Sequence, residues 1–237
     1  MIKVLASGSK GNSYIVKARE EILLLELGMP FKEVLKGLNF DLSMVKGCLV
    51  SHRHKDHSKS IGQAIKHGLD IYCNSDVAKD ITTERRINII EPLKKFILGG
   101  FTILPFECNH TNNDESVCPN LGFLIEHKAI GKVLFATDTY YLKYTFKSLK
   151  HVLIECNYSE NELENIPSYR ARILKSHMSL ETLINTLKSW DLKGIEEITL
   201  IHLSESNADP GYFKAQIEKE TGCMVSIAAP GLIVGSD

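Results

Sequence analysis

The chain has 237 residues, 43% hydrophobic and 24% charged, with a formal net charge of −1. That length fits one large domain or two small ones and buries enough surface to fold without disulfides. The near-zero charge excludes a global pull toward nucleic acid or anionic membrane, so any phosphate recognition has to be local.

In chain order, "IKVLA", "SYIVKA" and "EILLLEL" are short β-type runs separated by Gly-rich or charged turns. The segment "GSKGNS" (8–13) lacks the spacing of a nucleotide-binding P-loop and lies between two strands. It reads as a tight strand–strand turn, with substrate contact as the alternative. "GCLVS" is a further strand. "SKSIGQAIKHG" has apolar residues at three-to-four spacing and ends in Gly68, which predicts a helix. "LDIYC" predicts a strand, and "SDVAKDI" a helix capped by its serine.

The same kinds of element return in the second half. "GGFTILPFEC", "LGFLIEH", "KVLFATD", "HVLIEC" and "IEEITLIHL" predict strands, and "HTNNDESVCPN" (110–120) a polar loop. "SLETLINTLKSW" is amphipathic, with Ser179 as its cap. "DPGYFKAQIEKETG" has Pro near its start and Gly past its end. Strands and helices in both halves, with no repeat or linker, suggest one domain over 1–237 built as two packed sheets with helices outside.

None of the six cysteines forms a C-x-x-C pair, and four lie in or beside apolar runs, so they read as free thiols in a reducing cytoplasm. No run reaches the ~18 apolar residues of a membrane span, and the N-terminal stretch lacks the plan of a signal peptide.

Of nine histidines, three fall within "SHRHKDH" (51–57). His52, His110 and His202 each follow an apolar strand-like run, and Asp138 follows "VLFAT". Residues at strand ends can converge on one edge of a sheet. A step of two in an extended segment returns a side chain to the same side, so His52 and His54 can grip one ion. Asp56 and His57 stand where the helix opens, diverge by about 100°, and can reach a second position. Imidazole and carboxylate suit zinc, and also manganese or iron. Two ions ~3.5–4 Å apart could polarise a phosphoryl oxygen. His67, at a helix end, and His127 and His151 read as surface or core residues.

"SHRHKDH" resembles the H-x-H-x-D-H signature of the metallo-β-lactamase superfamily. "LASGSKGNSYIV", "LELG", "ATDTYY", "LIECNYSENEL", "SHMSLETL", "LIHLSESNADP" and "APGL" occur in the order found in its small bacterial exonuclease-like branch, which is related to ribonuclease Z. The resemblance covers nearly the whole chain and implies an αββα sandwich, an α/β fold of two mixed sheets with helices on the outer faces. It implies a first metal on His52, His54 and His110, a second on Asp56, His57 and His202, and Asp138 bridging both. Asp56 would also orient the attacking water, and His177 would contact the scissile phosphate and protonate the leaving oxygen; helix-entry packing is the alternative for His177. The family usually has Asp before Gly where this chain reads Glu26-Leu27-Gly28; that carboxylate normally accepts from a metal-bound histidine. Where the family has an "ESNH"-like segment, this chain has Tyr158 in place of the histidine.

The function expected is a dinuclear zinc- or manganese-dependent phosphodiesterase, a nuclease, acting on nucleic acid or a nucleotide. Alternatives are a small cyclic-nucleotide phosphodiesterase, a glyoxalase-II-like thioesterase or lactonase, and a catalytically weak metal-binding module. Arg170, Arg172 and Lys175 form a basic run before His177, with phosphate clamping as one reading and a solvated face as the other. Related enzymes often pair, so a homodimer belongs among the expectations.

Overall fold

The computed structural model describes residues 1–83, 85–112, 114–160 and 176–235. The segment 161–175, with Arg170, Arg172 and Lys175, lies outside the described residues. The first half supplies β1 (Ile2–Ala6), β2 (Ser13–Ala18), β3 (Glu21–Leu25), α1 (Phe31–Gly37), β4 (Val45–Val50), α2 (Lys55–Ser58), α3 (Ile61–Lys66), β5 (Ile71–Cys73), α4 (Ser75–Lys79) and β6 (Ile87–Ile89). The second supplies β7 (Phe96–Leu98), β8 (Phe101–Thr111), β9 (Val117–His127), β10 (Gly131–Ala136), β11 (His151–Glu155), α5 (Leu180–Lys188), β12 (Glu197–Ile201), α6 (Pro210–Thr221), β13 (Val225–Ile227) and β14 (Ile233–Val234).

Two seven-stranded sheets result, ordered β14-β1-β2-β3-β4-β5-β6 and β13-β12-β11-β10-β9-β8-β7. Both are mixed: β14 to β3 and β7 to β10 pair antiparallel, whereas β3 to β6 and β10 to β13 pair parallel. The parallel strands read as continuous apolar runs because both faces are covered. Leu23, Leu25, Leu49, Phe123, Phe135 and Leu153 fill the space between the sheets. Leu24, Cys48, Val50 and Ile71 point instead toward α1 and α3, while Val152, Ile154, Ile198 and Leu200 point toward α5 and α6. The layers are therefore helix, sheet, sheet, helix, as the α/β sandwich expectation requires. Among the described residues no helix is long and apolar enough to cross a membrane, and the described cysteines are all free.

Three local expectations need correction. The run 58–68 is broken: α2 starts earlier, at Lys55, and a turn at Lys59–Ser60 separates it from α3. The cap of α4 is Asn74 rather than Ser75, its amide oxygen accepting from Asp76 N and Val77 N at 3.0 Å. Asn74 wins because its amide nitrogen is also used, donating to Ser51 O and Pro119 O. The stretch 110–120 is mostly strand, with His110 opposite Cys118 and Thr111 opposite Val117 across the β8–β9 hairpin. Its polar residues alternate with buried ones, and the turn itself is confined to the few residues after Thr111.

Candidate metal centre

The carboxyl ends of β3, β4, β8, β10, β11 and β12 meet along one edge of the sandwich, and the chain exits each into a polar residue there. Glu26 follows β3, His52 and His54 follow β4, His110 nearly ends β8, Asp138 lies just beyond β10, Glu155 ends β11, and His202 follows β12. Glu26, Asp138 and His202 have φ of 64°, 49° and 53°, a left-handed backbone that costs a non-glycine residue about 1–2 kcal/mol. Such cost persists where surrounding bonds over-determine the geometry. Asn120 Nδ2 supplies two at Asp138, donating to Thr137 O at 2.9 Å and Asp138 O at 2.7 Å. Ser7 Oγ accepts from His202 N, and Asn157 Nδ2 donates to His202 O.

The donors form two sets. In the first, His54 Nδ1 lies 3.1 Å from His52 Nε2 and 3.2 Å from His110 Nε2, while Asp138 Oδ2 stands 3.8 and 3.7 Å from the latter two nitrogens. In the second, His57 Nε2 is 3.3 Å from both Asp56 Oδ2 and Asp138 Oδ1, and His202 Nε2 is 3.4 and 3.6 Å from the same two oxygens. Tetrahedral ligands at ~2.0–2.1 Å from an ion are about 3.3–3.4 Å apart. Both sets match that spacing, and Asp138 contributes one oxygen to each.

The electrostatics agree. Burial, then the neighbouring His57, holds His52 well below the ordinary histidine range, and burial lowers His110 as well. These imidazoles stay neutral and aim lone pairs at a common point. At His57 and His202 burial opposes the charge but carboxylates overcome it, Asp138 foremost, raising His57 well above its usual value and His202 to about 10. Asp138, despite burial, is held far below the carboxylate range by His202 and His57. His52 and His110 favour the neutral, lone-pair-bearing form, and the second set attracts positive charge. A divalent cation answers both, so these residues fit the metal that the pattern implies.

The other nitrogen of each donor imidazole faces a polar group, and at His52, His54 and His110 a hydrogen bond there fixes ring orientation. His52 Nδ1 meets Ser51 Oγ at 2.9 Å, His54 Nε2 meets Asn112 Oδ1 at 3.1 Å, and His110 Nδ1 donates to Ser176 O at 2.9 Å. His57 Nδ1 and Glu26 Oε2 are 3.3 Å apart, and His202 Nδ1 and Glu155 Oε1 3.2 Å, in each case an ion-pair contact rather than an aligned hydrogen bond. Glu26 Oε1 accepts from Ser51 N at 3.1 Å, and the longer side chain reaches His57 from the left-handed backbone. Burial raises the Glu26 carboxyl, with His57 opposing that shift.

His177 stands beside the cluster, its ring stacked on His202 at 5.5 Å between centroids. Its Nδ1 contacts Glu155 Oε1 at 2.5 Å. Glu155 was concealed within a run that reads simply as a strand; a charged residue ending an apolar run was the available signal. Tyr158 is buried in a bridge to Ser179 and its hydroxyl is pushed up to about 12 by burial. The 8–13 loop packs beneath the centre: Asn12 N donates to Asp56 O at 2.8 Å, Asn12 Nδ2 donates to Gly8 O, and Gly28 N donates to Asn12 O. A Cβ at Gly28 would stand 1.6 Å from Asp56 O, so this position admits only glycine. His67, His127 and His151 lie elsewhere, His127 beside Glu21 and His151 beside Glu196.

The layered fold and paired donor sets define a metal-dependent hydrolase with the metallo-β-lactamase fold. The beta-lactamase superfamily domain matches residues 30–203, and the chain belongs to that superfamily. It is similar to the exodeoxyribonuclease WalJ of Streptococcus pneumoniae, 27% identical over 231 residues, covering 86% of this chain and 81% of that protein. The exodeoxyribonuclease YycJ of Bacillus anthracis is 28% identical over 225 residues, covering 86% and 82%. Among solved structures, the metallo-beta-lactamase fold protein YhfI of Bacillus subtilis superposes with a TM-score of 0.74 at 17% identity, over 98% of this chain and 97% of that one.

Proposed function

We propose that the chain is a two-metal phosphodiesterase that hydrolyses DNA. His52, His54, His110 and Asp138 Oδ2 would hold one ion, and Asp56, His57, His202 and Asp138 Oδ1 the other. Bound there, zinc or manganese ions would supply Lewis-acid polarisation of the phosphoryl oxygens and lower the pKa of the attacking water. The observation that carries the reading is the division of the Asp138 carboxylate between two four-donor sets. The similarity to two exodeoxyribonucleases supports DNA as the substrate class.

The chain's own groups complete the chemistry. Asp56 has one oxygen in the second set and is held below the carboxylate range by His202 and His57 although burial opposes it. It stays ionised and orients the attacking water by accepting a hydrogen bond from it. His177, pinned through Nδ1 by Glu155, presents Nε2 to the departing oxygen and delivers a proton there.

The test is hydrolysis of bis(p-nitrophenyl) phosphate, a single-stranded oligodeoxynucleotide and a cyclic mononucleotide, with zinc or manganese and with chelator, beside Asp138→Ala. Metal-dependent turnover of the first two, abolished by Asp138→Ala, is expected. Turnover of the cyclic nucleotide alone would replace DNA as the substrate, and no turnover of any ester would overturn the phosphodiesterase reading.

A further inference from the structure

A concavity of about 410 Å³ at the rim of the centre is bounded by Arg53, His54, Lys55, Asp56 and Asp80. It continues, through Lys55 and Asp80, into a groove of about 560 Å³ between the α2–α3 face and the end of α4. Lys55, Lys59 and Lys66 line this groove, and all three are exposed. Elsewhere on the surface Lys36, Lys79, Lys94, Lys143 and Lys150 pair with carboxylates, while others such as Lys3, Lys32 and Lys128 have no ion pair among the described residues but do not gather in one groove beside the centre. Lys55, Lys59 and Lys66 have no ion pair among the described residues. The acid in the lining, Asp80, faces Arg53 Nε at 3.9 Å.

Lys55 and Lys59 are four residues apart on one helical face, an arrangement of like charges that disfavours the helix. Lys59 lies in the turn that follows α2 and Lys66 ends α3, and both line the same groove. Between them Gln63 and, across the groove, Thr82 offer exposed hydrogen-bonding groups. A row of unpaired ammonium groups leading away from a hydrolytic centre is placed to meet a row of phosphates leading away from the cleaved bond.

We infer that this groove is the track for the uncleaved part of a single-stranded DNA substrate, its phosphates seated on Lys55, Lys59 and Lys66. The inference rests on the phosphodiesterase reading and deepens it. A chain of net charge −1 grips its substrate through this local line rather than through a broad basic face. Single-stranded binding should then depend on salt with a contribution of about 0.7 per neutralised phosphate.

The experiment compares the metal-loaded wild type with Lys59→Gln/Lys66→Gln on a 12-nucleotide single strand, a dinucleotide and bis(p-nitrophenyl) phosphate. The variant should keep its metal content and its turnover of bis(p-nitrophenyl) phosphate and the dinucleotide. Its KM for the 12-nucleotide strand should rise roughly tenfold at low salt, and the slope of log KM against log salt should fall by about 1.4. If wild type cleaves the long strand and the variant has the same KM and slope, the groove is not the track. If wild type cleaves bis(p-nitrophenyl) phosphate but no DNA strand of either length, the DNA reading fails and the track with it.

Discussion

The buried carboxylate of Glu155 stands 2.5 Å from His177 Nδ1, and the same oxygen lies 3.2 Å from His202 Nδ1. Its other oxygen accepts from Thr139 N at 2.8 Å and Met178 N at 3.4 Å. One acid thus orients both a candidate metal ligand and a candidate proton donor.

Proton delivery by His177 matters only when the departing oxygen is a poor leaving group. His177→Ala should therefore slow DNA hydrolysis by roughly 10²–10⁴-fold while leaving bis(p-nitrophenyl) phosphate, whose nitrophenolate leaves unaided, much less affected. Metal content, read by elemental analysis, should stay at the wild-type value. A variant that loses metal would make His177 a ligand.

Glu26 faces His57 from a left-handed backbone position. Glu26→Ala should weaken one of the two metal affinities by about 10–100-fold, measured by competition with a chromogenic chelator. Glu26→Asp should fall between wild type and alanine, because the backbone is set for the longer side chain. Equal affinities in all three proteins would remove Glu26 from the site.

Chelation should lower the melting temperature. An ion present at 1,000 times its Kd adds about 4 kcal/mol, and for a chain of this size each kcal/mol is worth about 2–4 °C. Removal of both ions should lower Tm by 10 °C or more in calorimetry, and re-addition of zinc or manganese should restore it. A Tm indifferent to chelator would argue against metal at these residues.

Two glycines give opposite outcomes. Gly28→Ala places a methyl against Asp56 O and should displace α2, with loss of metal at the second donor set. Gly62 in α3 has open space around a built Cβ, so Gly62→Ala should raise stability by about 0.5–1 kcal/mol in urea unfolding. Gly28→Ala with full metal content would show that the loop beneath the centre yields easily.

Much of the site could be read in the sequence because its donors belong to compact patterns. His52, His54, Asp56 and His57 share six positions, and Asp138 and His202 follow apolar runs whose length marks a strand end. Glu155, Asn12 and Asn120 escaped because each acts through tertiary partners: a buried asparagine bonding the backbone of Asp138 looks like any strand residue. The 110–120 stretch misled for a related reason. Its polar residues suggested a loop, but Cys118 and His110 face inward in a paired register that only the partner strand reveals. Asn74 took the cap of α4 for its two further bonds, to Ser51 just past β4 and to Pro119 in β9, which local propensity cannot weigh.

Each donor set draws on both sheets. His52 and His54 leave β4 of the first sheet and face His110 and Asp138 of the second; Asp56 and His57 likewise face Asp138 and His202. An ion held in either set would therefore act as a rivet through the sandwich, fastening at one rim two layers that elsewhere adhere through their shared apolar filling and polar bridges such as Glu21 with Gly100 N and His127. Loss of the ions would loosen that rim first and leave the opposite rim as it was.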